Sequence, residues 1–330
     1  MVRSLIGILI AATVVGVSGA QPQQSQEQAE QPQQPSVFRS GSDVVRAYVT
    51  VTDKDGRIVT TLQKDDFEVR DGGKGQPIIL FDHSPRAIRL IVMLDVSGSM
   101  QGNLPLLRNG TAQLVKYLRR EDGARIGTFG KDVVISPSFT REPGELLAAL
   151  PSSIDPEALT PLWRAVDKAL EALGPAEDDA RRVVLVLSDG KDSGLTSFRD
   201  KFITQGDVID RARRQEVMVY GIGMRSRGGR PQVPGLGIGG LQAALVADLP
   251  DPGLARVAEE TGGGYAEIQF GEDLGRSFAQ VAEELHSQYL LGYEPPKRDG
   301  KVHEIEVRTT VKGLKPRARK SYVAPKTTSS

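Results

Sequence analysis

Two apolar segments of this chain each end on an acidic residue. RLIVMLD occupies positions 89–95, and RRVVLVLSD occupies positions 181–189. Consecutive apolar residues over this length are typical of a strand that is buried on both faces of a parallel sheet. The polar residues that follow Asp95 have two interpretations: a turn after a core strand, or a set of oxygen ligands for a divalent cation.

Strand and helix patterns alternate around these two segments. Leu107, Leu114 and Leu118 follow helical spacing, and TPLWRAVDKALEAL has the pattern of an amphipathic helix with proline in its first turn. The alternation predicts an α/β domain over residues 88–287, with a doubly wound, mostly parallel sheet. Further strands are predicted at 124–130, 133–137, 217–223 and 265–270, and further helices at 207–215, 253–264 and 273–288.

The regions on either side of this domain have β character. Val45, Ala47, Val49 and Val51 alternate with polar residues, which predicts a half-buried strand. After the turn signal DKDG, the segment RIVT resumes the strand pattern. Because chain termini often lie close together, we expect a small antiparallel β unit built from both flanks, 37–87 and 288–325. Its other predicted strands are 66–73, 76–83, 288–296, 302–311 and 317–325.

The first residues have the pattern of an export signal. Residues 1–20 carry one early positive charge, an apolar stretch and small residues at the end, as in a secretory signal peptide. A retained membrane anchor is the alternative, but the apolar stretch is shorter than a bilayer span requires. Residues 21–36 are rich in Gln and Pro and predict a flexible tether. We therefore expect a periplasmic or extracellular protein if the source is bacterial.

The overall composition excludes several classes of function. The 42 basic residues balance the 42 acidic ones, so the chain lacks the basic footprint of a nucleic-acid-binding protein. It has no cysteine, which excludes thiolate metal sites, cysteine nucleophiles and disulfides.

Five oxygen-bearing side chains are predicted to meet at one edge of the sheet. Open α/β sheets bind ligands at the carboxyl ends of their strands. Taken singly, Ser99 or Thr160 would more often be a helix cap. Taken together, in order and at two strand ends, the set predicts a metal site. Its members are Asp95, Ser97, Ser99, Thr160 and Asp189.

The segments DVSGSM, LTPL and LSDG, in that order, resemble the metal-ion-dependent adhesion site of von Willebrand factor type A (VWA) domains. The flanking segments VTDKDGRIVTTLQKDDFEVRDGG and SQYLLGYEP are similar to a bacterial group of secreted VWFA-related proteins. The resemblance covers residues 43–323. It implies a VWA fold and an adhesion or scaffold module that binds a protein partner.

The resemblance also implies a role for each residue of the site. The Ser97 and Ser99 hydroxyls would bind the cation directly, and Thr160 would bind directly or through water. Asp95 and Asp189 would hold coordinated waters and fix the serines. Hydroxyl and carboxylate ligands suit Mg²⁺ or Mn²⁺, with Ca²⁺ also compatible. An Asp or Glu of the partner would fill the open coordination position.

A long insertion after the 217–223 strand is a candidate for partner recognition. It is rich in glycine and carries Arg225, Arg227 and Arg230. If the strand is parallel to its neighbours, the insertion leaves from the edge that carries the metal site. A loop with packing of its own is the alternative interpretation.

Enzymatic function is not expected. The chain around Ser97 lacks the glycine of a nucleophile elbow, and no phosphate-binding loop with its lysine is present. Of three histidines, His83 and His303 lie in the β flanks, and we expect His286 to be a solvated or capping residue. A second non-enzymatic possibility is a structural or assembly protein of the cell envelope, in which the metal only stabilises the fold.

Overall fold

The structure, a computed structural model, describes residues 44–174, 178–194, 201–225, 250–269 and 274–326. The predicted signal peptide and tether lie outside these ranges. The helices are α1 (Leu104–Tyr117), α2 (Pro143–Ala148), α3 (Leu162–Leu173), α4 (Gln205–Gln215), α5 (Pro252–Thr261) and α6 (Leu274–His286). The strands are β1 (Val45–Thr52), β2 (Phe67–Asp71), β3 (Lys74–Gln76), β4 (Leu80–Asp82), β5 (Ile88–Asp95), β6 (Gly123–Phe129), β7 (Val133–Ile135), β8 (Arg181–Ser188), β9 (Met218–Arg225), β10 (Tyr265–Gln269), β11 (Tyr289–Tyr293), β12 (Val302–Thr309), β13 (Lys315–Arg317) and β14 (Ser321–Val323).

The two apolar segments with which the sequence analysis began form the centre of a six-stranded sheet. Its strand order is β10-β9-β8-β5-β6-β7, and all neighbouring pairs are parallel except β6 with β7. Leu94 of β5 pairs with Leu187 of β8. The two strands therefore end side by side, and the residues after them share one edge of the sheet.

Helices cover both faces of this sheet. Leu90, Val92 and Leu94 pack into one apolar cluster with side chains of α1, α2 and α6. Ile91 and Met93 point to the other face, into a cluster with side chains of α3, α4 and α5. Each fully buried aliphatic side chain contributes about 1.5–3 kcal/mol of transfer free energy, so the apolar residues of β5 support one layer or the other. The doubly wound, mostly parallel α/β fold is confirmed.

Strands from the two ends of the chain pair in two further sheets. One has the order β13-β1-β11-β4, and the other has the order β14-β12-β2-β3. Val49 of β1 pairs with Tyr289 of β11, and Val69 of β2 pairs with Val307 of β12, both antiparallel. Apolar side chains from both sheets form one common cluster.

Some of the predicted strands are wrong in detail. RIVT forms no strand, only an isolated bridge between Thr52 and Ile58 after the turn at Gly56. The predicted strand 317–325 is interrupted: β13 pairs with β1, whereas β14 pairs with β12 in the other sheet. The segment 76–83 is divided for the same reason, since β3 pairs with β2 and β4 with β11. The short helix α2 was not predicted.

None of the helices in the described ranges combines the length and apolarity that a bilayer-spanning segment requires.

Candidate metal-binding site

Asp95 is the last residue of β5 and is completely buried. The backbone N–H of Ser97 donates a hydrogen bond to Asp95 Oδ1 over 2.9 Å. The hydroxyl of Ser188, at the end of the adjacent strand β8, donates to Asp95 Oδ2 over 2.5 Å. Both carboxylate oxygens are therefore held, and the carboxylate fixes the start of the turn that carries the serines.

The serine turn meets the end of β8. Ser97 Oγ and Ser99 Oγ are 3.2 Å apart, and Ser99 Oγ donates to Asp189 Oδ1 over 2.8 Å. Ser97 and Asp189 are each 2% exposed, whereas Ser99 is exposed to solvent. The structure thus brings both serines and both aspartates of the predicted set together, with Ser99 on the solvent side.

Thr160 lies in the loop before α3, on the same edge. Its backbone N–H donates to Ser193 Oγ over 3.0 Å, and Ser193 N–H donates to the Thr160 carbonyl over 2.9 Å. A Cβ atom added at Gly190 would lie 3.1 Å from Thr160 Oγ1. The hydroxyl of Thr160 therefore faces the residue that directly follows Asp189.

Burial disfavours the ionised form of both Asp95 and Asp189. Burial, and then the neighbouring charge of Asp189, raise the pKa of Asp95 to about 7, against the hydrogen bonds from Ser188 and Ser97. Burial also raises the pKa of Asp189, and the hydrogen bond from Ser99 opposes this shift only in part. A positive charge between the two groups would stabilise both carboxylates.

The donor set fits a hard divalent cation. Asp189 Oδ2 is buried and has no hydrogen-bond partner among the described residues. A buried carboxylate oxygen without a donor is costly unless a cation or water satisfies it. Hydroxyls of Ser97, Ser99 and Thr160 with two carboxylates are the ligand types that Mg²⁺ and Mn²⁺ prefer. Within the described ranges, no group of three or more His, Asp or Glu side chains forms a carboxylate- or imidazole-rich metal site.

One family model matches the segment that carries the candidate site. The family model of the von Willebrand factor type A domain matches residues 90–191, which include all five residues of the candidate site. Over these residues the chain is similar to a VWA domain, and the match covers about a third of the full length. No curated protein is significantly similar to the chain.

Several solved structures are similar to this chain, at low sequence identity and with TM-scores below 0.5. BatB from Bacteroides thetaiotaomicron is 18% identical, with 60% of this chain and 98% of that chain covered and a TM-score of 0.44. A von Willebrand factor type A protein from Catenulispora acidiphila is 10% identical, with coverages of 88% and 76% and a TM-score of 0.45. The pilus adhesin SpaC from Lactobacillus rhamnosus GG is 9% identical, with coverages of 77% and 48% and a TM-score of 0.42.

Three residues of the α/β domain support the site but were not identified from the sequence. Ser188 holds Asp95, and Ser193 holds the loop of Thr160. Gly98 lies between the two serines, and its N–H donates to the Ala158 carbonyl over 2.9 Å. The serine before Asp189 and the glycine inside DVSGS were visible signals, but their roles depend on which strands and loops are neighbours.

The predicted recognition arginines are described only in part. Arg225 is the last residue of β9, which runs parallel to β8 and ends at the same edge. It is exposed and forms an ion pair with Glu267 of β10, with an Nη2–Oε2 distance of 2.6 Å. Arg227 and Arg230 lie outside the described residues.

The histidines are engaged elsewhere. The sequence predicts that His286, at the end of α6, is a solvated or capping residue. Its side chain is instead buried, with its Nε2 atom 2.9 Å from Asp122 Oδ2. Asp122 also accepts from Ile88 N–H, at the amino end of β5 and thus away from Asp95. His83 stacks on Tyr289 and His303 contacts Asp299, both within the β unit.

Proposed function

We propose that this protein is an exported, metal-dependent protein-binding module, which captures an acidic group of a partner protein through a divalent cation at the edge of its VWA domain. The observation that carries the proposal is the convergence of Ser97, Ser99 and Asp189 beside the buried Asp95, with Asp189 Oδ2 left without a donor. Export follows from the predicted signal peptide, and the role is that of a binding or scaffold protein and not of an enzyme.

Each residue of the set has a distinct part. Ser97, Ser99 and Thr160 would supply neutral hydroxyl ligands, and Asp95 and Asp189 would orient them and balance part of the charge. A Mg²⁺ or Mn²⁺ ion bound there supplies an electron-poor centre with affinity for a carboxylate. The exposed position of Ser99 leaves this centre open to a partner, while Asp95 and Ser97 stay buried.

Calorimetric titration of Mg²⁺ and Mn²⁺ into the secreted chain tests the proposal. We expect saturable binding in the native protein and its loss in Ser99→Ala, because this change removes one hydroxyl ligand and the donor to Asp189 Oδ1. Ser136→Ala is the matched control: Ser136 Oγ accepts a hydrogen bond from Ile126 N–H, away from the site, so metal affinity should be unchanged.

The purely structural alternative makes a different prediction. If the cation only stabilises the fold, Mg²⁺ raises the melting temperature but acidic peptides bind equally well before and after chelation. If the cation is the bridge to a partner, chelation abolishes peptide binding while the protein stays folded. Absence of saturable metal binding in the native protein would contradict the proposal itself.

A further inference from the structure

Two large apolar side chains lie exposed beside the candidate metal site. Leu159 is 47% exposed and Phe202 is 58% exposed. Exposed side chains of this size usually stand singly on the surface of a soluble domain, whereas larger exposed apolar patches mark contact surfaces. The other large exposed apolar residues in the described ranges are Ile79, Tyr117, Val134, Val302 and Val311, none of which adjoins the site in sequence.

Leu159 is connected to the site along the chain, and Phe202 through a close approach to Gly194. Leu159 directly precedes Thr160, whose backbone is hydrogen-bonded to Ser193 in both directions. A Cβ atom added at Gly194, the next residue, would lie 3.8 Å from Phe202 Cε2. Leu159 and Phe202 therefore flank the paired segments that carry Thr160 and follow Asp189. We call Leu159 and Phe202 together the apolar rim.

Exposed cations accompany the apolar rim. Lys191 lies two residues after Asp189, and Lys201 directly precedes Phe202; both side chains are exposed. Positive charge at this side of the site favours an approaching anion and increases its rate of association. The segments around the site thus carry exposed apolar and positively charged residues, together with the exposed Glu157 before Leu159.

We propose that the apolar rim selects the partner: the site takes an acidic peptide segment in which a large apolar side chain lies within a few residues of the Asp or Glu. This inference rests on the proposed function and adds the chemistry of the partner to it. A lone metal–carboxylate contact gives modest affinity, and burial of an apolar side chain against Leu159 and Phe202 supplies the additional binding free energy.

A display library of random linear peptides, panned on the Mg²⁺-loaded protein and eluted with a chelator, tests the inference. We expect the eluted peptides to be enriched in Asp or Glu with Phe, Leu, Ile, Met, Trp or Tyr close by. For synthetic copies of these peptides, Leu159→Ser and Phe202→Ser should each weaken binding by about tenfold. Neither side chain is a ligand, so the metal affinity of both variants should stay within about twofold of the native value. Retained metal binding also shows that the variants are folded. Val134→Ser removes an equally exposed side chain (57%) on the edge strand β7 and should leave peptide binding unchanged.

Acidic peptides without apolar neighbours, or unchanged peptide affinity in the two rim variants, would overturn the inference and leave the proposed function standing. The same holds if no chelator-eluted peptide emerges from a protein that calorimetry shows to bind Mg²⁺. A native protein that binds no Mg²⁺ would instead overturn the proposed function, so the two failures are distinguishable.

Discussion

Gly98 separates the two serines of the site and has no room for a side chain. A Cβ atom there would overlap the backbone carbonyl oxygen of Pro156. The N–H of Gly98 donates to the Ala158 carbonyl, so the serine turn and the loop before Thr160 are in direct backbone contact. Space, and not an unusual backbone dihedral angle, requires glycine here.

Gly98→Ala should weaken metal binding more than it destabilises the fold. The added methyl group must push the backbone at Pro156 away, and the loop that carries Thr160 moves with it. We expect Mg²⁺ affinity to fall by about tenfold or more and the free energy of unfolding to fall by about 1–3 kcal/mol. Calorimetry and urea denaturation measure the two quantities.

Gly144→Ala is the control for Gly98→Ala. A Cβ atom at Gly144 meets nothing within 4 Å, and the residue lies in α2, where alanine favours the helix by up to about 1 kcal/mol. Equal metal affinity in Gly98→Ala and the native protein would mean that the loop of Thr160 does not contribute to the site.

The residues of the candidate site were easier to identify from the sequence than the residues that hold them in place. Asp95 and Asp189 are recognisable because they end apolar strands, and the serines follow at once. Ser188 belongs to the same strand pattern as its apolar neighbours, and only the pairing of β5 with β8 brings its hydroxyl to Asp95. A supporting hydrogen bond across two strands depends on register, which a single sequence does not specify.

At the scale of elements, Asp122 ties together three parts of the α/β domain. Its Oδ1 accepts a hydrogen bond from Ile88 N–H at the start of β5. Its Oδ2 accepts from Arg119 N–H, after α1, over 2.6 Å. The same oxygen lies 2.9 Å from His286 Nε2 at the end of α6. Burial raises the pKa of Asp122, but the hydrogen bonds from His286 and Arg119 outweigh burial, so the pKa lies below its usual value.

Asp122→Asn should destabilise the domain in a pH-dependent way. An amide nitrogen in place of one carboxylate oxygen cannot accept from Arg119 or His286, which costs about 1–3 kcal/mol at neutral pH. Because the folded pKa lies below the unfolded value of about 3.8, this stabilisation is complete above that value and is lost as the pH falls through the folded pKa. Urea denaturation at several pH values between 3 and 7 measures the difference.

Asp178→Asn provides the comparison for Asp122→Asn. Asp178 pairs with Arg89 near the surface, where an ion pair contributes at most about 1 kcal/mol. A destabilisation by Asp122→Asn that stays constant down to pH 3 would contradict a role for the ionised carboxylate.

The elements that sequence patterns missed are those whose identity depends on neighbours. The strands β5 and β8 follow from apolar content alone. The segments 76–83 and 317–325 have continuous strand character, yet each contributes to two sheets, because the chain crosses between the sheets of the β unit. The helix α2 has only six residues, too few for helical periodicity to show.

At the scale of the whole molecule, Glu284 joins the α/β domain to the β unit. This residue lies on α6, and its Oε1 atom accepts from Tyr220 of β9 over 2.5 Å and from Thr50 of β1 over 3.0 Å. Arg317 of β13 forms a hydrogen-bonded ion pair with the same oxygen. Gln288 extends the network with hydrogen bonds to the hydroxyls of Thr50 and Tyr220.

This network predicts that the α/β domain and the β unit unfold as one cooperative unit. The chain has a single tryptophan, Trp163 of α3, so its fluorescence reports on the α/β domain, whereas far-ultraviolet circular dichroism reports on both parts. We expect the two signals to change at the same urea concentration. Glu284→Ala leaves three donors without their acceptor and should lower the free energy of unfolding by about 3 kcal/mol, with both transitions shifted together.

Glu283→Ala, one position earlier on the same helix, removes an exposed carboxylate and should change stability by less than about 0.5 kcal/mol. If the fluorescence and dichroism transitions of the native protein separate, the β unit unfolds on its own and the contacts of Glu284 do not couple the two parts. If the two transitions coincide in the native protein but separate in Glu284→Ala, the coupling between the two parts depends on this carboxylate. The β unit would then share the stability of the domain that carries the candidate site, because buried polar contacts across the boundary break only when both sides open.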